Sequence, residues 1–203
     1  MSSIHPTAIV SSKAVIGPRI TIGPLVVIED DVEIGEDTEL LTGTVLLKGS
    51  RIGSRCKIGP YAIIGGLPMD NAYQGEPSLA ILEDEVELRE FVTVHRATGE
   101  GSETRVGTGS LIMTYTHVSH NVKVGKHTTL ATSVQLGGHV QIGDYAFLGA
   151  NALIHQFCRV GTQAIMAGGS ATSKDILPHC MAASTPATHY GLNRVGLRRR
   201  GVT

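Results

Sequence analysis

An aliphatic residue recurs at every sixth position along most of this chain. Counting from Ile4 to Met166 in steps of six gives 28 positions, and 25 of them hold Ile, Val, Leu or Met. The fourth residue after each is usually small or β-branched, as at Ala8 and Val26. A six-residue unit is too short for a pair of helices, but it suits one short strand followed by one bend. Three units then form a triangular coil of about 18 residues, and stacked coils form a parallel β-helix with strands about 4.8 Å apart.

Glycine often follows the aliphatic residue of the repeat, as at Gly17, Gly23 and Gly35. Since glycine tolerates strained backbone conformations, we expect it to relieve the bend of each unit. The repeat is interrupted twice without loss of frame, and residues 65–81 and 99–105 are therefore predicted to be extruded loops. The sequence thus predicts a β-helix over residues 1–171 and a tail over residues 172–203. We expect this tail to contain a loop and a short helix or turn.

Composition excludes several classes of protein. Aromatic residues make up only 4% of the chain, so the core must be built from many thin aliphatic layers rather than around large rings. A net charge of −1 disfavours a general nucleic-acid binder. The apolar runs are too short to span a membrane, and the amino terminus does not resemble a secretory signal. Three cysteines without a CxxC pair favour a reducing, cytoplasmic setting.

The stacking of coils predicts a candidate site around His120. Because residues 18 apart lie in one column, His120 should lie beneath Gly138, and Gly138 beneath Gln156. Gly138 has no side chain, so the column predicts a notch directly above the imidazole. Three further imidazoles are expected beside this notch: His117, His139 and His155. None of the four occupies an inward position of the repeat, and an outward imidazole suits a general base that takes a proton from a hydroxyl.

Two other interpretations of the histidine cluster stay open. The side chains could simply cover the surface, or they could bind a metal. No acidic or thiol group is expected to join the cluster, which favours a site without metal. Cys56 and Cys158 occupy the small inward position of the repeat and are interpreted as core residues rather than nucleophiles.

The hexad repeat resembles that of the left-handed β-helix acyltransferases. Particular segments narrow this to the family that acylates UDP-N-acetylglucosamine at the start of lipid A synthesis. They are residues 117–121 (HVSHN), 138–140 (GHV), 152–158 (ALIHQFC) and the tail 190–201 (YGLNRVGLRRRG). The segment 93–96 (TVHR) and the Gly-Gly loop before Asp70 are also similar to that family, and the similarity runs over nearly the whole chain.

The resemblance implies a left-handed coil and a homotrimer with active sites between subunits. It implies that His120 removes the proton from the sugar 3-hydroxyl, which attacks the thioester of a 3-hydroxyacyl acyl carrier protein. A backbone N–H near the glycines would hold the oxyanion, and no covalent intermediate, cofactor or metal is expected. A groove along the β-helix would measure the acyl chain, with Gly168 at its end. The substrate-binding residues implied are Asp70, His117, His139, His155, Gln156, Gly168, Asn193, Arg199 and Arg200.

The sequence departs from the family's pattern at four places. The family usually continues with a helical C-terminal domain, whereas this chain ends at Thr203, which puts trimer stability and carrier-protein docking in question. Asn121 follows His120 where the family often has Asp, so no adjacent carboxylate is expected to orient the imidazole. Ala72 replaces a common Lys, and Val195 replaces a common acidic residue.

Two alternative functions stay open. One is another hexapeptide-repeat acyltransferase that acts on an amino sugar or a different nucleotide sugar, and the other is a non-catalytic β-helix binding protein derived from the family.

Overall fold

Short parallel strands make up nearly all of the regular structure. The computed structural model describes residues 2–202, which contain strands β1 to β28, numbered in chain order, and one helix, α1 (Arg194–Arg199). The strands of the first sheet are β1 (Ser3–Ile4), β4 (Thr21–Ile22), β7 (Glu39–Leu40), β10 (Lys57–Ile58), β13 (Glu87–Leu88), β16 (Leu111–Ile112), β19 (Thr129–Leu130), β22 (Phe147–Leu148), β25 (Ile165–Met166), β27 (Cys180–Ala183) and β28 (Thr188–Leu192).

The other two sheets complete a triangular prism. The strands of the second sheet are β2 (Ile9–Val10), β5 (Val27–Ile28), β8 (Val45–Leu46), β11 (Ile63–Gly66), β14 (Thr93–His95), β17 (His117–Val118), β20 (Gln135–Leu136), β23 (Leu153–Ile154) and β26 (Ala171–Thr172). Those of the third sheet are β3 (Val15–Ile16), β6 (Glu33–Ile34), β9 (Ser50–Ile52), β12 (Leu79–Leu82), β15 (Glu103–Val106), β18 (Lys123–Val124), β21 (Gln141–Ile142) and β24 (Arg159–Val160). Together they form a left-handed parallel β-helix, which confirms the predicted fold.

The strand register follows the predicted coil length. Ile4 pairs with Ile22, and Val118 pairs with Leu136, each 18 residues further on. Ile64 instead pairs with Val94, because residues 67–78 leave the coil between them as a loop. The second interruption lengthens the next coil in the same way. Both insertions therefore return the aliphatic residues to the interior in register.

The inward positions of the repeat form one continuous core. Leu40, Leu88 and Leu130 are fully buried. Cys56 and Cys158 are also buried in this core, and burial raises the pKa of the Cys56 thiol to about 11. A thiol that stays protonated at neutral pH is a poor nucleophile, so the structure agrees with a packing role for Cys56.

Apart from Gly65, the glycines after the aliphatic residues do not have positive φ and do not make the bends, so the expected reason for them was wrong. The backbone takes a positive φ two residues later, at side chains such as Arg19 (58°) and Tyr61 (56°). The glycines are required because adjacent coils approach closely at this point. A Cβ on Gly35 would lie 2.6 Å from backbone atoms of Gly53 and Ser54 in the next coil.

Three corners join the sheets, and each corner forms a separate edge of the prism. The first corner joins the first sheet to the second, and includes residues 113–116, 131–134, 149–152 and 167–170. The second corner joins the second sheet to the third, and includes residues 119–122, 137–140 and 155–158. Both extruded loops leave the coil at this second corner, and they span 67–78 and 96–102 rather than the predicted 65–81 and 99–105, because residues 65–66, 79–81 and 103–105 pair as strands. The third corner, with residues 125–128, 143–146 and 161–164, returns the chain to the first sheet.

The C-terminal residues cover the last coil. β27 continues the first sheet in parallel with β25, and β28 then pairs with β27 in the antiparallel direction. Asn193 caps α1 by accepting a hydrogen bond from the Gly196 amide at 3.0 Å. Within residues 2–202, no helix has the length and apolar character needed to cross a bilayer.

Candidate active site

His120 lies at the second corner beneath Gly138, as the column predicts. The residue is 7% exposed, since the loop 67–78 folds against it. A Cβ on Gly138 would press against Nε2 of His120 and would lie 2.5 Å from Cε1. The missing side chain therefore opens a space directly in front of Nε2.

Asn121 settles which nitrogen of His120 carries the proton. The side-chain oxygen of Asn121 accepts a hydrogen bond from the Thr98 amide at 2.9 Å, and its Nδ2 donates to the Thr98 carbonyl at 3.0 Å. The same oxygen lies 3.0 Å from Nδ1 of His120. An acceptor oxygen at that distance requires Nδ1 to donate, so the neutral ring keeps its lone pair on Nε2, facing the notch.

A carboxylate joins this cluster: counting along the coil placed no acid there, and only the resemblance put Asp70 in the same groove. Oδ2 of Asp70 lies 3.7 Å from Nδ1 of His120. The Ala72 amide donates to Asp70 at 2.9 Å and holds the pKa of this carboxyl below its usual range. Asp70 comes from the first extruded loop, so the 18-residue count could not place it beside His120. The loop thus supplies the negative charge that Asn121 lacks.

The same carboxylate changes the argument about metals. Asp70, His120 and His139 each place one possible ligand atom within 4.8 Å of the other two. The premise that no acidic group accompanies the histidines was therefore wrong. Because Nδ1 of His120 already donates to Asn121, these residues are better arranged for hydrogen bonding, and a site without metal stays our prediction.

The neighbouring imidazoles are held neutral. Nδ1 of His117 lies 2.7 Å from the Thr93 hydroxyl, whereas its buried Nε2 has no partner among the described residues. Burial, aided by His95 and His120, lowers the pKa of His117 to about 4. His139 packs edge-on against His120 at 5.3 Å between ring centres, and burial followed by repulsion from His120 lowers its pKa. These rings shape the site and add no positive charge near neutral pH.

His95 belongs to the cluster but was not among the predicted site residues. Its ring lies edge-on to that of His117 at 4.9 Å between centres, and burial lowers its pKa. His95 lies in the segment 93–96, which the sequence analysis singled out only for its similarity to the family. The 24-residue step between Thr93 and His117 conceals the contact from an 18-residue count.

An open groove of about 430 Å³ runs from this cluster along the second sheet. It brings together four of the predicted residues, His117, His120, His155 and Gln156, with the Gly138 notch in its wall. Met69 lines the groove as well.

Gly168 lies at the first corner, on the far side of the second sheet from His120. It is exposed and stacks on Ala150, whose carbonyl oxygen would lie 3.0 Å from an added Cβ. The surface between the two corners includes Leu153, which is 48% exposed. The second sheet therefore connects the His120 cluster to Gly168, with Leu153 exposed on the surface between them.

The three predicted tail residues lie elsewhere. Arg199, Arg200 and Asn193 line a pocket of about 380 Å³ beside the third corner. The Arg200 guanidinium lies 3.8 Å from the ring centre of Tyr145, and Nδ2 of the buried Asn193 donates to the Gln163 carbonyl at 2.8 Å. A single chain does not bring this pocket to His120.

Comparisons by sequence and by structure both match this chain to UDP-N-acetylglucosamine acyltransferases. A curated acyl-ACP–UDP-N-acetylglucosamine O-acyltransferase from Halorhodospira halophila, where ACP is acyl carrier protein, is 43% identical over 202 residues, covering 99% of this chain and 78% of the relative. The corresponding protein of Burkholderia thailandensis is 46% identical over 99% of this chain and 77% of its own length. Residues 175–203 match the profile of Udp N-acetylglucosamine O-acyltransferase domain 2, and residues 1–99 match that of the GMPPB C-terminal domain.

Solved structures support this likeness. The LpxA structure from Acinetobacter baumannii superposes with a TM-score of 0.96 at 36% identity, covering 98% of this chain and 78% of that one. LpxA from Bacteroides fragilis, described as a UDP-N-acetylglucosamine acyltransferase, gives 0.96 at 39% identity over 99% of this chain and 79% of its own.

Proposed function

This chain belongs to the family of acyl-ACP–UDP-N-acetylglucosamine O-acyltransferases, and we propose that His120 is the general base of its reaction. The enzyme transfers an acyl group from acyl carrier protein to UDP-N-acetylglucosamine, the first step of lipid A biosynthesis. The acyl group in our proposal is a 3-hydroxyacyl chain, and the acceptor is the sugar 3-hydroxyl. The observation that carries the assignment is the free Nε2 of His120, which faces the Gly138 notch.

The proton transfer follows from this geometry. A sugar hydroxyl seated in the notch gives its proton to Nε2 as its oxygen attacks the thioester carbonyl. The ring then carries a positive charge, which Asp70 at 3.7 Å stabilises. The same Nε2 returns the proton to the departing pantetheine thiolate. No covalent enzyme intermediate is required.

The Gly138 amide is the proposed donor to the oxyanion. Among the described residues, this N–H makes no hydrogen bond, whereas the flanking Gly137 and His139 amides bond to carbonyls of adjacent coils. An unpaired amide beside Nε2 suits the negative charge that develops on the thioester oxygen.

We propose that the acyl chain lies along the second sheet toward Gly168, and that Arg199, Arg200 and Asn193 bind the nucleotide. The arginines offer charge-assisted hydrogen bonds to a diphosphate. Since this pocket and His120 lie at different corners of one chain, the proposal requires a neighbouring subunit to supply one of them. A homotrimer meets that requirement, and light scattering that reports a monomer at micromolar concentration would contradict it.

A cytoplasmic location is part of the same proposal. It is supported by the three cysteines, Cys56, Cys158 and Cys180, which are all free thiols.

The base assignment is tested by His120→Ala in an assay with UDP-N-acetylglucosamine and 3-hydroxyacyl carrier protein. A general base contributes about 10²–10⁴-fold, so kcat should fall by that factor without loss of fold. His155→Ala is the matched control, because among residues 2–202 its ring bonds only to the Gln156 carbonyl, through Nδ1, and the substitution should have a smaller effect. A His120→Ala enzyme that keeps most of its kcat would show that another group takes the proton.

A further inference from the structure

A buried arginine without a counter-charge lies outside the proposed active site. Arg96 is 8% exposed and forms no ion pair among the described residues. Within the described part of the chain, its one side-chain hydrogen bond runs from Nη2 to the Tyr73 hydroxyl at 3.3 Å, and its Nε has no partner. Every other arginine in the coil, residues 1–171, except Arg159, is paired with at least one carboxylate. A buried guanidinium that lacks a compensating charge is energetically costly.

The fold makes room for this side chain. Gly49, with a φ of 82°, lies against the Arg96 stem, where an added Cβ would be 2.8 Å from Cδ. The backbone of Arg96 is held by a 2.8 Å hydrogen bond from its amide to the Gly66 carbonyl. Arg96 is thus positioned by its surroundings, with its charged end beneath the loop 67–78.

Arg96 lines a cavity of about 400 Å³. Lys48, which forms no ion pair among residues 2–202, lines it too, and so do Tyr73 and Ser78. The acid in the lining, Asp31, is occupied by Arg51 at 2.6 Å. The cavity therefore has excess positive charge and hydroxyl groups that can donate.

We propose that this cavity binds a phosphate group, with Arg96 as its principal ligand. A phosphate accepts charge-assisted hydrogen bonds from the guanidinium while Tyr73, already accepting from Arg96, donates its own proton. The phosphate could be free or part of the 4′-phosphopantetheine arm of a carrier protein. The inference rests on the uncompensated charge of Arg96 and does not depend on His120 or on acyl transfer.

Isothermal titration of the full chain with inorganic phosphate, at fixed ionic strength in chloride, tests the proposal. We expect saturable binding at one site per chain. Arg96→Met removes the charge, keeps the apolar stem, and should weaken binding by at least about tenfold. Arg55→Met is the control, because Arg55 is an exposed arginine paired with Glu85 at the third corner and should leave the affinity unchanged.

Two further measurements keep the test decisive. If Arg96→Met does not fold, Tyr73→Phe should still weaken phosphate binding several-fold while Arg96 stays in place. Titration with 4′-phosphopantetheine identifies the source: tighter binding than phosphate indicates a carrier arm, and weaker binding indicates the free ion. Absence of saturable binding, or equal affinity in wild type and Arg96→Met, would overturn the proposal.

Discussion

Substituting Gly138 by Ala tests whether the notch over His120 is the place where the sugar hydroxyl reacts. The new Cβ would lie 2.5 Å from Cε1 of His120, whereas ordinary contact begins near 3.4 Å. The ring must therefore retreat by about 1 Å, and a misplacement of that size costs roughly 10²-fold in rate. This corresponds to about 2.7 kcal/mol of transition-state stabilisation. The added methyl also occupies the space that a hydroxyl needs to reach Nε2 within hydrogen-bond distance.

The assay is kcat/KM for acyl transfer, accompanied by the thermal unfolding midpoint. Gly138 does not have a positive φ, so the backbone accepts Ala there and the fold should persist. Gly35→Ala is the matched control, since it crowds backbone atoms of the next coil at 2.6 Å but lies far from the site. It should lower stability without changing kcat/KM. If Gly138→Ala retains most of its kcat/KM, the notch is not where the hydroxyl is deprotonated.

Three further changes probe the rest of the site. Gly168→Met should shorten the preferred acyl chain. Loss of room for four methylenes costs about 3 kcal/mol, or roughly a hundredfold in selectivity between acyl carrier proteins with long and short chains. An unchanged chain-length preference would exclude Gly168 from the groove. Asp70→Asn should lower kcat about tenfold without a matching change in KM, because the charged ring loses its carboxylate; an unchanged kcat would make Asp70 a loop residue only. His117 accepts a proton near pH 6.5 in the unfolded chain but near pH 4 in the folded one, so its stability contribution declines as the pH falls through that window. His117→Gln should therefore reduce the loss of stability between pH 7 and pH 5 by about 1–2 kcal/mol, measured as urea unfolding, and an identical loss in both proteins would contradict the burial argument.

The sequence predicted the coil well because each unit repeats the same packing problem. The aliphatic residue at every sixth position must be buried inside the coil. The column from His120 through Gly138 to Gln156 then followed from counting in steps of 18 residues. The contacts of Asp70 and His95 could not be found in this way, because an inserted loop lies between each of them and the residue it contacts. The glycine bends were also misjudged: close approach between coils is a contact across 18 residues, and local backbone preference does not report it.

The active site is assembled from whole coils, so its dimensions come in discrete steps. His120, Gly138 and Gln156 occupy three successive levels of one corner, and each level adds about 4.8 Å along the axis. Deleting the 18 residues from 138 to 155 would remove one complete coil, keep the remaining inward aliphatics in register, and lower Gln156 by one level, directly above the imidazole. The β-helix would remain, but the notch above His120 would be filled. An enzyme of this kind cannot adjust the height of its pocket gradually by lengthening or shortening the coil; it must change the side chains that occupy each level.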